Sequence, residues 1–450
     1  MHRRRPPRTR PYLWGALGLA GVAGVAALVI LLMAGTTTAP LGPGPGRAAE
    51  PRPIEPSSGR IITVAQDGSG EYRSIQKAAD VARPGDTVVI SAGTYPEPLK
   101  VPRDGAAGAY ITFHAKPGAA VIIDGQGERA ADKGLVNLDD RSFIRLIGIT
   151  VRGSSTHGII AQRSSDIVLS DCEVSGSADG GAVFLSAARV LVERCEVYGN
   201  NARGTDASHE AVSFSDVDGF EIAHSVVRDN GEEGIDAKYE ARNGRIHGNR
   251  VAGNRGPNIY IDSARNIEVY NNIVSGTTGE SKAGISLAVE DFSETRRTSA
   301  VRIYNNVVFG NLGGGIGVWV ESTGTFSDIQ IVNNTVVGNR KGGLTVTSGR
   351  FTGENLLRNN VFVDNDRGVS GDASGFTADH NLFSSEPFGT DVVPGTAGFV
   401  DRDVNDLRPT EGSATIDTGA PQGAPAFDLT GAARPAGNRV DIGAYELTAP

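Results

Sequence analysis

The sequence offers few of the usual handles for chemistry: it has no zinc-type Cys/His spacing, no G-x-S-x-G nucleophile turn and no glycine-rich phosphate loop. It is also short of basic charge. Residues 1–60 hold eight Arg, no Lys and two Glu, so the remaining 390 carry 35 basic and 50 acidic residues, a net of −15. Such a body repels nucleic acid. An anionic ligand would need a local positive element, either basic side chains or a bound cation. Aromatics make up only 6% of the chain and long helical periodicities are scarce. Glycine is abundant, and Val, Ile and Asn recur at close intervals, the composition of many short strands joined by tight turns.

Residues 1–12 are basic, and the run from Leu13 to Gly35 carries no charge. That run is long enough to span a bilayer as a helix, and the Arg cluster predicts a cytoplasmic N-terminus. The expectation is a single-pass signal-anchor over 13–35 with the body outside the cytoplasm; the alternative is secretion after cleavage near Ala34 or Ala39. Residues 36–60 are rich in Pro, Gly and Ala and read as a tether.

From Ile61 the spacing predicts a strand to Ala65, a short amphipathic helix from Ser74 to Ala82 stopped by Pro84-Gly85, and a second strand from Thr87 to Ser91. The chain then repeats. Segments such as D-I-V-L-S-D-C-E-V, N-I-E-V-Y-N-N-I-V and I-Q-I-V-N-N-T-V-V put Cys172, Cys195, Ser225, Asn249, Asn272, Asn306, Asn334 and Asn360 in register at intervals of 23 to 34 residues. A period in that range with alternating β-branched residues is a solenoid signature. Stacked coils would line the aligned asparagines into a hydrogen-bonded ladder inside a bend. Before each repeat sits a second short strand, among them G-I-I-A-Q at 158, E-A-V-S-F at 210, G-I-D-A-K at 234, N-I-Y-I-D at 258 and G-I-G-V-W at 315.

The opening from Ile61 resembles the N-terminal cap of pectin methylesterases and of bacterial β-helix proteins, without the D-F-I-F-G block of the esterases. The two ladders together resemble the right-handed parallel β-helix of the pectate-lyase-like superfamily. That resemblance implies an all-β solenoid of about ten or more coils over 61–388, an Asn ladder between the second and third sheets, and a polysaccharide groove along the first sheet, where the Gly-Ile strands fall. Residues 389–450, with R-P-T-E-G-S-A-T-I-D-T-G-A and G-N-R-V-D-I-G-A-Y-E, resemble a tail found on such proteins and are expected to cap the last coil.

Chemistry is expected at Asn230–Tyr239, N-G-E-E-G-I-D-A-K-Y, where carboxylates and a lysine gather on one strand. If Ile235 and Ala237 point inward, alternation sends Asp236 and Lys238 outward. Registering the neighbouring strands adds Glu210, Val212 and Phe214 on the coil before, Asn258, Tyr260 and Asp262 on the coil after, and Trp319 further on. His209 and Glu233 stand just ahead of their strands. An outward Asp-x-Lys pair is ordinarily a solvated pair of little consequence. Here the concentration of Glu210, Glu233, Asp236 and Asp262 is local and calls for a positive partner, which Lys238 and a Ca²⁺ ion held by those four carboxylates would supply. Phe214, Trp319 and Asn258 are the expected sugar contacts, and His157, His224 and His247 read as surface or loop residues. Cys172 and Cys195 stack at the ladder position as either a disulfide or an inward thiol pair.

Such a site suits β-elimination of a uronate-containing polysaccharide, with Lys238 as base. E-G-I-D-A-K also resembles the E-x-I-x-x-K stretch of the chondroitinase-B and alginate-lyase family, which implies calcium binding by Glu233 and the base role for Lys238. That family's arginine on the next coil is replaced by Asp262, which leaves the proton donor unassigned, with His209 and Tyr260 as candidates. The alternatives are a glycoside hydrolase using two of the carboxylates and a non-catalytic glycan-binding surface protein. The expected partners are an acidic polysaccharide and the membrane, with the body monomeric.

Overall fold

In the computed structural model, residues 58–129 and 132–447 are described. The basic segment, the expected membrane span and nearly all of the tether lie outside them. Among the described residues no helix is long and apolar enough to cross a membrane.

Short strands repeat in a fixed order and stack in parallel into an 11-stranded, a 14-stranded and a 12-stranded sheet. The 11-stranded sheet collects the Gly-Ile strands and is called the first sheet; the long repeat segments form the second, and three-residue strands after each bend form most of the third. Each strand pairs with the equivalent strand one coil away, as Ile235–Lys238 does with Val212–Ser215 on one side and Ile259–Asp262 on the other. One face of every strand points into a continuous apolar interior, where Ile159, Val212, Ile235, Ile259, Ile285 and Ile316 are at most 1% exposed. At the start of the solenoid a helix at Ile75–Ala79 is N-capped by Ser74, whose hydroxyl accepts from the Lys77 N–H, and it buries Ile75, Ala78 and Ala79.

The Asn-Asn pairs divide two tasks between adjacent residues. The first Asn of each pair adopts a left-handed backbone, as in Asn271, Asn305, Asn333 and Asn359 with φ of 54° to 57°, a conformation asparagine tolerates better than most residues. That turns the chain from the second sheet into the third. The second Asn points inward: the Asn272 amide donates to Asn306 at 2.9 Å, Asn306 to Asn334 at 3.0 Å, Asn334 to Asn360 at 3.0 Å and Asn360 to Asn381 at 3.0 Å. Cys172 and Cys195 continue this column as free, buried thiols.

A second asparagine ladder, absent from the sequence reading, lines the bend from the third sheet to the first. It runs through Asn200, Asn230, Asn254, Asn258, Asn311, Asn339 and Asn365 at separations of 2.8 to 3.3 Å. On the coil where Thr277 takes the ladder position, Asn258 reaches across to join Asn254 to Asn311.

The C-terminal segment runs back along the outside of the third sheet. Leu407, Ile442 and Ala444 cover Val307, Val337, Val361 and Leu382. Asn305, Asn333 and Asn359 donate to the carbonyls of Phe427, Asp441 and Ala420 at 2.7 to 2.9 Å. Within the segment Arg434 is paired with Glu446 at 2.8 Å, their side chains 1% and 0% exposed.

Candidate active site

On the first sheet the outward positions change character along the solenoid. Ile160 and Val183 give way to Ser213, then to Asp236 and Lys238, then to Tyr260 and Asp262, then to Ser286 and Ala288, and finally to Gly317 and Trp319. Asp236, Lys238, Tyr260 and Asp262 are therefore brought together as expected. They do not face open solvent: Asp236 is 1%, Asp262 0%, Tyr260 5% and Lys238 7% exposed.

The cover comes from two sources. Ahead of the motif strands, His209, Glu210 and Glu233 stand on the bends; His209 takes φ 82°, and the Ala211 N–H donates to the Glu233 carbonyl at 3.0 Å, which stacks the two bends. From the other side, the loop after the strand Ile285–Val289 folds back over two coils. Its Glu290 accepts the hydroxyls of Tyr239 at 2.9 Å and Tyr260 at 2.8 Å, and the Glu290 N–H donates to Asp262 at 2.9 Å. Ser293 and Thr295 of the same loop donate to Glu240. Glu290 and Tyr239 were missed in the sequence because nothing local shows that a loop some fifty residues on returns to this coil.

At the centre Lys238 is ion-paired with Glu210 and lies 3.2 Å from Asp236. Ser213 donates to the other Glu210 oxygen at 2.8 Å. Burial works to raise the Glu210 carboxyl, but Lys238 and His209 outweigh it and hold the group at about 2. Burial works to lower the Lys238 ammonium, but Glu210 and Asp236 outweigh it and keep the group well above its ordinary range. Burial pushes Asp236 well above the usual carboxylate range. Burial, then Glu210 and Glu232, push Glu233 up to about 7. Burial and Glu290 push Asp262 up to about 7. Burial brings His209 down to about 4, so its imidazole is neutral at pH 7.

Several expected contacts fall elsewhere. Phe214 is fully buried, stacked between Phe184 at 5.3 Å and Phe220 at 4.3 Å. It pairs in register with inward Ala237, one residue off the alignment expected, and a one-residue slip exchanges the two faces of a strand. The same slip places Glu210 beside Glu233 rather than beside Gly234. Asn258 is 0% exposed and committed to the inner ladder. Trp319 stays on the groove face, with its ring 6.4 Å from that of Tyr260 at 15°. His157 is not a surface residue: it is 7% exposed, with its ring 5.5 Å from His209.

Asp236 Oδ1 and Asp262 Oδ2 are buried carboxylate oxygens with no hydrogen-bond partner. Among the described residues no three His, Cys, Asp or Glu side chains are already drawn together as a metal site.

Two family models fall on the coils. Residues 64–237 match the Pel9A-like right handed beta helix region and residues 290–383 the right handed beta helix region. The uncharacterized protein YwoF of Bacillus subtilis (strain 168) is 28% identical over a stretch covering 59% of this chain and 65% of its own length. The crystal structure of pectate lyase Pel9A is similar with a TM-score of 0.54 at 18% identity, covering 87% of this chain and 97% of that one. The complex of XylC with xylose is similar with a TM-score of 0.51 at 13% identity, covering 86% and 98%. Parallel strands wound coil by coil into three sheets, with both models on those coils, make the chain a right-handed parallel β-helix protein, similar in fold to pectate lyase Pel9A.

Proposed function

We propose that the protein is a carbohydrate-active enzyme that cleaves an acidic, uronate-containing polysaccharide by β-elimination on the outer face of its first sheet. The observation that carries this reading is the Lys238 ammonium, buried between Glu210 and Asp236 beside carboxyls poised near neutral pH. A cationic donor and groups able to take a proton at pH 7 thus share one patch of a fold that also carries pectate lyase Pel9A.

In the elimination a base takes the C5 proton, the C5–H electron pair becomes the C4=C5 double bond, and the C4–O bond breaks with a proton passing to the leaving oxygen. Lys238 serves as the base only if Glu210 and Asp236 are discharged. With those pairs intact the ammonium instead faces the substrate carboxylate or protonates the leaving oxygen, and Glu233, at about 7, takes the C5 proton. His209 and Tyr260 border the same patch, Tyr260 with its hydroxyl held by Glu290.

Ca²⁺ is the cofactor proposed. The two unpartnered oxygens of Asp236 and Asp262 are the donor type that Ca²⁺ takes, and these residues, with Glu233 and Glu210 near, would hold it. When bound it would neutralise a uronate carboxylate and acidify the C5 proton.

A second reading is favoured by the split between Glu210 at about 2 and Glu233 at about 7 on neighbouring coils, the pattern of a base and an acid in a glycoside hydrolase. Incubation with polygalacturonate, alginate and glycosaminoglycans, with and without a chelator, separates the readings. A lyase gives an ultraviolet-absorbing unsaturated product, and a hydrolase gives new reducing ends without it. Cleavage of none of these ends both. The body is proposed to work outside the cytoplasm, held by the anchor at 13–35, which fractionation of the cells tests.

A further inference from the structure

The loop after Ile285–Val289 does more than cover the acidic cluster. Most of its polar groups are tied down: Glu290 to two tyrosine hydroxyls, Ser293 and Thr295 to Glu240, Asp291 to Arg296 and Ser322. Between those ties stands Phe292, 77% exposed, the most exposed large apolar side chain among the described residues. A loop this firmly fastened has no need of an apolar tip, and burying the ring would be favourable by burial alone. Its placement is specific. The Phe292 ring lies 6.1 Å from Tyr239, and the Tyr239 ring in turn lies 5.2 Å from the Lys238 ammonium. Tyr239 thus stands in contact distance of both the buried Lys238 and the exposed Phe292, and Trp319 is stacked near Tyr260.

We infer that Phe292 is a sugar-stacking platform that holds the pyranose next to the one seated at Lys238, so that the site takes a polymer rather than a single sugar. The inference rests on the enzyme reading above. The apolar face of a pyranose packs on an aromatic ring. The Glu290 clamp fixes the loop before substrate arrives, so little ordering remains to be done on binding. Tyr239 and Tyr260 are positioning residues here: they hold the loop through Glu290.

The test is affinity electrophoresis of the full chain in gels containing polygalacturonate, alginate or neutral xylan, with melting temperatures measured in parallel. Wild type is expected to be retarded by an acidic polymer, Phe292→Ala to bind it about tenfold more weakly, and Phe292→Tyr to bind like wild type. Phe292→Leu, apolar but without an aromatic face, is expected to follow Ala. If Phe292→Ala is retarded as strongly as wild type, or if Leu restores binding, the platform is overturned while the enzyme reading stands. If Ala binds weakly and also melts lower, rescue by Tyr but not by Leu supports stacking, and failure of both to rescue overturns it. Retardation of wild type by no polymer overturns the enzyme reading itself.

Discussion

Lys238 and Asp236, two residues apart on one strand, lie 3.2 Å from each other with side chains 9% and 1% exposed. Alternation along a strand puts such a pair on the same face. What alternation does not give is the burial, which changes the pair from a solvated contact worth little into one whose disruption strands a charge in a poorly solvated place.

Lys238→Ala is accordingly expected to cost about 3 kcal/mol of stability as well as turnover, because Glu210 loses its counter-charge. Adding Glu210→Gln should restore part of the melting temperature without restoring turnover. Lys238→Arg separates the two roles open to the lysine. Arginine keeps the charge and cannot act as a base, so residual formation of unsaturated product by this variant supports the ammonium role. An Arg variant as inactive as the Ala variant would return the base role to Lys238.

Calcium should raise the melting temperature of the wild type, by an amount equivalent to about 2.7 kcal/mol at a hundredfold excess over its dissociation constant. Asp236→Asn and Asp262→Asn should each remove most of that shift. No shift in the wild type would end the calcium reading and leave the hydrolase reading in place.

The pH dependence has two limbs of opposite sign. Glu233 and Asp262 are raised to about 7 in the folded protein, so between about pH 4 and 7 the native state binds more protons than the unfolded chain, and stability falls as pH rises through that window. Glu210 is lowered to about 2. Its contribution is present above its unfolded value and is lost as pH falls from about 4.5 toward 2. Melting curves from pH 2 to 8 should show Glu233→Gln and Asp262→Asn flattening the upper limb, and Glu210→Gln the lower one.

Asn306→Leu removes an amide that donates to Val269, Tyr304 and Asn334 and accepts from Asn272. Several buried groups are left without partners, at about 1–3 kcal/mol each. A melting temperature within a degree of wild type would show that the ladder contributes nothing to stability.

The solenoid and the first ladder were legible because both follow from periodicity: alternation gives the faces, and Asn at a constant offset gives the column. The second ladder has a comparable signal in Asn200, Asn230 and Asn254, each two residues past the end of a third-sheet strand. Phe214 falls on the inner face because E-A-V-S-F admits two registers, and the choice between them rests on whether Ala211 or Val212 pairs with Ile235. Asn258 looked like the first residue of an outward strand, and only the missing ladder member at Thr277 explains its inward turn. Glu290, Tyr239 and Phe292 depend on a loop that returns across two coils, and no local pattern encodes such a return.

The C-terminal segment bears on how the solenoid comes apart. In a stack of repeats, the end coils can fray one at a time because each touches only its neighbours. Residues 420–443 grip Asn305, Asn333 and Asn359, which lie on three successive coils. Those coils can no longer peel away singly and must be released together, once the buried Arg434–Glu446 pair has opened. Hydrogen exchange should therefore resolve the C-terminal third as one cooperative block. Under a pulling force the first rupture would be at the strap rather than at the last strand, so the segment acts as a mechanical latch along the side of the molecule.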